Sequence, residues 1–263
     1  MVNNVVPARV GELARGFALT RERPRISLPS AVASIGVDRV FDTVVLFGLM
    51  FGAMLSPAFP DVSVIGGRTV SNMAATATVG IVALLGMLYT LAIYPRWFAA
   101  TAEWLLGLVS RSLAAKGHAA VLAFADGLSV LRSPRRFALV LWWTLLHWLC
   151  NAFAFWIGFQ AVGMELPFSA ALFLQGLIAI GVAVPSSPGF FGVFEWFAKV
   201  GLVQVYKAPE SLAVSWAIGY HILSFIPITL IGAFYASRLG FSLRQLDDVR
   251  DGEPASRTGS AAR

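Results

Sequence analysis

The sequence predicts an all-α polytopic membrane protein. It reads as inverted repeats with two re-entrant, broken-helix elbows and about four full spanning helices. Three observations lead there. Apolar residues make up 57% of the 263-residue chain and charged residues 13%, with a mean hydropathy of +0.74; soluble domains sit at roughly 45–50% apolar and about 25% charged. Four apolar stretches reach the ~20 residues a helix needs to cross a bilayer. Lysine and arginine fall almost entirely on one side of the topology those stretches impose.

Composition also excludes. Disorder, collagen-like repeats and a disulfide scaffold do not fit. The single cysteine, Cys150, sits in an apolar run and has no intrachain partner. CxxC and CxxH patterns are absent, so neither a metal nor a cofactor is expected. The net charge of +6 and pI near 10.0 do not signal nucleic acid, because the basic residues flank apolar spans, where they set topology.

The expected full spans are 30–55, 74–94, 137–162 and 211–237. Segments 3–19 and 168–206 are apolar but interrupted. The second is too long for one helix, and Pro185 and Pro188 break it in the middle. Its halves are each about half a crossing long, which suits a hairpin that enters and leaves on one side. The connection 95–136 sets Trp104, Leu105, Leu108, Val109, Val121 and Leu122 among basic residues. It reads as an amphipathic helix pair on the cytoplasmic leaflet. Residues 1–238 are expected to form the transmembrane domain, and 239–263, polar and poor in aromatics, a disordered cytoplasmic tail. No short apolar run with an A-x-A site opens the chain, so insertion through internal spans is expected.

Charge sidedness tests this layout. Arg9, Arg15, Arg21, Arg23 and Arg25 precede the first full span. Arg96, Arg111, Lys116, Arg132, Arg135 and Arg136 lie in the 95–136 connection, and Arg238, Arg244, Arg250, Arg257 and Arg263 in the tail. The opposite connections hold only Arg68, Lys199 and Lys207. Both ends of the chain are thus expected in the cytoplasm, and 168–206 must return to the outer face.

The two interrupted segments share a pattern. One reads VPARVGEL, with Pro7, Gly11 and Glu12; the other reads VPSSPGFFGVFE, with Pro185, Ser186, Ser187, Pro188, Gly189, Gly192 and Glu195. Proline removes a donor and glycine allows positive φ, so the chain can turn at membrane depth. Such backbone must be buried in protein or line a wet cavity. Elbows on opposite faces are the mark of an inverted repeat around a midplane site; packing kinks in an ordinary bundle are the plainer alternative. The second elbow follows a span and the first follows nothing, so upstream helices are expected to be missing from this sequence.

Charges within the spans come next. Asp38, Arg39 and Asp42 interrupt the first full span. They fall at membrane depth, where ionisable groups point to function or to a structural ion pair. Glu195 sits between aromatics and needs a partner, for which Arg9, Arg39 and His221 are the candidates. His221 reads more readily as a hydrogen-bonded packing residue, and His147, among tryptophans, still more so.

NNVVPARVGELARGFAL followed by SIGVDRVFDTVVL, together with PSSPGFFGVFEW, resembles the lysylphosphatidylglycerol synthase transmembrane family. This is the flippase-like membrane domain of multiple-peptide-resistance-type proteins. The resemblance covers nearly the whole chain apart from the tail. It implies paired re-entrant elements around a lipid-accessible cavity, with stand-alone relatives in bacteria and archaea; a bacterial inner membrane is the expected location. By matching, Pro7, Arg9, Gly11, Glu12, Arg15, Asp38, Arg39, Asp42, Pro185, Pro188, Gly189, Gly192 and Glu195 fall on motif positions. Such relatives usually carry an arginine in the last span, where this chain has His221, which leaves the charge balance of the cavity open. The synthase chemistry belongs to a separate soluble domain, and the residues after Ser237 are too few for one.

The leading expectation is a flippase-like protein that moves a phospholipid or lipid-linked glycan between leaflets. Arg9, Arg15 and Arg39 would hold a phosphate, and Glu12, Asp42 and Glu195 would balance them or bind a cationic head group or a proton. An intramembrane enzyme would need Ser186 or Ser187 beside His147 or His221, but no nucleophile motif supports it, so no catalysis is expected. A non-transporting scaffold or regulator of a membrane-associated lipid- or glycan-modifying transferase is the remaining alternative.

Overall fold

Proline sets where two of the helices begin. Pro95 and Pro134 each stand in a first helical turn, where the missing N–H would have had no partner. The computed structural model describes residues 15–16, 19–20, 28–60, 64–65, 68–69, 79–80, 83, 86–87, 89–128, 133–183 and 187–238. In chain order these give α1 (Leu28–Met54), β1 (Val64–Ile65) and β2 (Arg68–Thr69), α2 (Pro95–Gly107), α3 (Arg111–Gly127), α4 (Pro134–Ala161), α5 (Phe168–Ala183), α6 (Val193–Lys199) and α7 (Glu210–Arg238). A π-helical turn, Val200–Val205, extends α6. The two short strands pair antiparallel, Val64 opposite Thr69, and are a small departure from the all-α expectation.

Three of the expected segments, 30–55, 137–162 and 211–237, are helical and fall in α1, α4 and α7. The fourth, 74–94, is helical at 79–80, 83, 86–87 and 89–93 and otherwise lies outside the described residues. So do most of the first elbow, including Pro7, Arg9, Gly11 and Glu12, and the 239–263 tail. Among the described residues, two helices are long and apolar enough to cross a membrane, Pro134–Ala161 and Glu210–Tyr235. Their apolar windows are only 6% and 11% buried. The core helix of a soluble protein would be mostly buried. Here Leu223, Leu230 and Phe234 of α7 and Trp142, Trp143 and Phe153 of α4 stand exposed. Each would cost about 25 cal/mol per Å² of apolar area left in water, a cost that lipid removes.

Helix α5 is the centre of the fold. It is apolar all round, with Ala170, Ala171, Phe173, Leu174, Gln175, Gly176, Ile178 and Gly181 buried, as a helix enclosed by others must be. Around it pack α1, α4 and α6. Small residues let the backbones approach. A Cβ on Gly176 would lie 2.7 Å from Met50, and one on Gly181 2.1 Å from Phe197. Leu174 and Phe173 meet Gly201 farther along α6 and its π turn, so α5 and α6 run antiparallel as a hairpin.

The α2–α3 pair takes the place of the expected amphipathic connection. Trp97, Trp104, Leu105 and Leu108 of this pair and its turn are exposed, while Phe124 packs over Gly36 of α1. The pair is thus tied to the bundle as well as presenting an apolar outer side.

Candidate functional site

The elbow of the α5–α6 hairpin is a tight turn that the sequence dictates. Pro188 and Gly189 occupy its centre, and the Phe190 N–H donates to Ser187 O at 2.9 Å. Gly189 has φ +64° and ψ 8°, the left-handed geometry that the third position of a type II turn demands. Phe190 follows at φ +61°, a conformation that costs a residue with a Cβ about 1 kcal/mol. The Ser187 hydroxyl donates to Phe191 O. Gly192, at φ +86°, then caps α6.

Glu195 stands at the third position of α6 and turns back on the cap. The Gly192 N–H donates to its Oε2 at 2.6 Å, half of a capping box. Its Oε1 lies 2.6 Å from His221 Nδ1 on α7. His221 is buried, and its Nε2 lies 2.9 Å from the Gly189 carbonyl. Aromatic rings wall the imidazole. Phe191 stacks on it at 4.4 Å, Phe194 lies at 4.6 Å and Phe225 at 6.3 Å. Of the partners considered for Glu195, His221 is the one it meets among the described residues; Arg9 lies outside them. A Cβ on Gly189 would lie 2.6 Å from Phe225, so glycine also allows the elbow to touch α7.

The second cluster is on α1. Arg15 Nη2 lies 3.3 Å from Asp38 Oδ2, and Arg39 Nη1 lies 3.3 Å from Asp42 Oδ2. The Trp148 indole on α4 donates to Asp42 Oδ1 at 3.1 Å. These charges begin about 15 Å along a helix of 27 residues, about 40 Å long, so they sit near its middle. Arg15, Asp38 and Arg39 remain about half exposed, whereas Asp42 is 24% exposed.

One face of α4 relates the two clusters. Trp148 meets Asp42, and seven residues on Phe155 meets Tyr220, the neighbour of His221, with ring centroids 4.6 Å apart. Seven residues are two turns, about 10 Å. The elements thus bring together Arg15 with Asp38, Arg39 with Asp42, and Glu195 with His221, the first between the 15–16 stretch and α1, the second within α1 and the third between hairpin and α7. Arg9, Glu12, Pro185 and Ser186 lie outside the described residues.

Sequence reasoning missed Trp148, the Gly189 carbonyl and Gln175. Tryptophan beside His147 reads as interface belt, and a backbone carbonyl leaves no trace in composition. Gln175 is 3% exposed in α5, and neither polar atom of its amide has a partner among the described residues. Among those residues no three of His, Cys, Asp and Glu gather as metal ligands would. An apolar notch lined by Thr90, Tyr94, Trp97 and Phe98 lies beside α2 and offers no charge.

The model of the lysylphosphatidylglycerol synthase TM region matches residues 1–232. The UPF0104 membrane protein MJ1078 of Methanocaldococcus jannaschii is 21% identical over 232 residues, 88% of this chain and 91% of that protein. A UPF0104 membrane protein of Methanothermobacter thermautotrophicus is 33% identical over 94 residues, 36% of this chain and 28% of its own length. Glycosyltransferase AglD of Haloferax volcanii is 25% identical over 253 residues, 88% of this chain but only 40% of that protein. No solved structure matches. These relatives are archaeal, and they establish a membrane protein rather than the bacterial setting expected from the sequence. The chain belongs to the lysylphosphatidylglycerol synthase transmembrane family.

Proposed function

We propose that the protein carries a phosphate-bearing lipid, a phospholipid or a lipid-linked glycan, between the leaflets of its membrane. One observation supports this most: ion pairs stand near the middle of α1 and beside the elbow, and the α4 residues that reach toward the two clusters, Trp148 and Phe155, are two turns apart. Ionisable groups at that depth are costly and mark pathways. Arg15 and Arg39 are each paired with a carboxylate yet half exposed. Their guanidinium forks can exchange that partner for a phosphate of like geometry. Helix α5, 16 residues and about 24 Å long, is short of the ~30 Å hydrocarbon core. In this reading the hairpin enters the bilayer and returns, with its elbow inside the hydrocarbon core. Both chain ends then face the cytoplasm.

The chain performs no group transfer in this reading. The Ser187 hydroxyl is committed to Phe191 O, and both ring nitrogens of His221 are committed to Glu195 and Gly189, which disfavours a serine–histidine pair. A second reading, a membrane partner of a transferase, draws on AglD. That relative is named a glycosyltransferase and this chain matches 40% of it.

Native mass spectrometry of the purified full chain, with anionic, zwitterionic and lysyl-modified phospholipids added in turn, tests the site. The anionic lipid is expected to be retained, and Arg39→Ala to weaken its retention about tenfold, the worth of one charge-assisted contact. Equal retention by the variant would remove Arg39 from the site.

A further inference from the structure

The imidazole of His221 is held between two acceptors. Nδ1 faces a carboxylate oxygen of Glu195 at 2.6 Å, and Nε2 faces the Gly189 carbonyl at 2.9 Å. A neutral imidazole has one N–H and one lone pair. The carbonyl cannot donate, so Nε2 carries a hydrogen. The Nδ1 contact then needs one more proton, on the ring or on the carboxyl group. Both placements hold the same number of protons and leave the pair neutral. We infer that Glu195 and His221 form a proton-binding site, and that its proton fastens the elbow to α7.

Loss of that proton to water breaks one particular bond. A carboxylate, one ring N–H and a ring lone pair remain. The N–H stays with the charged partner, Nδ1–H to Glu195, because a charge-assisted bond is the stronger. Nε2 then turns its lone pair to the Gly189 carbonyl, and attraction becomes repulsion. The Gly192 N–H keeps its bond to Glu195 Oε2, so α6 stays capped while the turn Ser187–Phe190 is released. Proline 227 interrupts α7 six residues past His221 and gives that helix a place to bend.

The neighbouring charged groups have partners or stand apart from this pair. On α6 and α7 the neighbouring charges, Lys199 and Glu210, pair with each other at 2.5 Å, and Tyr220 packs on Phe155 and Phe194. Helix α5 has no titratable residue, and α4 carries Arg135 and Arg136 in its first turn and His147 and Cys150 farther along, all exposed. The inference deepens the transport reading and rests on it only for its purpose, the coupling of cargo movement to a proton; the contact itself does not depend on the cargo.

Hydrogen exchange of the full chain in nanodiscs, followed over residues 187–192 and corrected for intrinsic amide rates, tests it without any cargo. Between about pH 5 and about pH 9, which spans imidazole titration, protection is expected to fall about tenfold, one charge-assisted bond at the low end of its range. Glu195→Gln supplies the missing proton permanently. Its amide oxygen accepts from Gly192 N–H and its amide nitrogen donates to Nδ1, so protection should stay at its low-pH level throughout. Constant protection in the unmodified chain, or a Glu195→Gln variant that titrates like it, would overturn the inference. A latch that titrates in a protein that moves no lipid leaves this inference standing and removes the transport reading; transport with a latch that does not titrate does the reverse.

Discussion

Two histidines face a glutamate at nearly the same distance. His118 Nδ1 lies 2.5 Å from Glu103 between α3 and α2, and His221 Nδ1 lies 2.6 Å from Glu195 between α7 and α6. Their surroundings differ. The His118 and Glu103 side chains are 40% and 53% exposed, against 8% and 22% for His221 and Glu195. Only His221 also meets a backbone carbonyl and a wall of aromatic rings. Water screens the first pair and can replace either partner. The second pair has shed its water, so removal of one partner strands the other. The distance within a pair therefore says little about its worth; the solvent around it decides.

Substitutions can break this contrast in order of effect. His221→Ala is expected to destabilise the most, by about 3 kcal/mol, because Glu195 loses its partner in apolar surroundings. Chemical denaturation in detergent micelles would measure it, and a loss as small as that at His118 would erase the contrast. Gly189→Ala comes next, at about 2 kcal/mol. Its φ of +64° resists a Cβ, which would also lie 2.6 Å from Phe225. Trp148→Phe removes one hydrogen bond to Asp42 and should cost about 1 kcal/mol in the same denaturation experiment. His118→Ala should fall below about 0.5 kcal/mol, with a thermal midpoint close to that of the unmodified chain.

Much of this was legible in the sequence where physics is local. The ends of α4 and α7, Pro134–Ala161 and Glu210–Arg238, follow the apolar runs and their flanking charges. The elbow follows from Pro188, Gly189 and Gly192, since few residues besides glycine tolerate the angles found there. Glu195 among phenylalanine and tryptophan announces a partner, and His221 was one of three candidates for it. What the sequence withheld is long-range. Trp148 and Asp42 are 106 positions apart, and the bond from His221 to Gly189 uses a carbonyl that every residue possesses. The antiparallel pairing of Val64–Ile65 with Arg68–Thr69 was hidden because two residues per strand are too few for any period to register.

The most direct measurement is leaflet exchange in liposomes that contain the purified full chain and a fluorescent anionic, zwitterionic or lysyl-modified phospholipid. The account predicts exchange of at least one phosphate-bearing lipid well above the protein-free rate, with about a tenfold loss in Arg39→Ala. Exchange at the protein-free rate for every head group, by protein that retains its helical content, would contradict it and turn attention to the partner of a transferase.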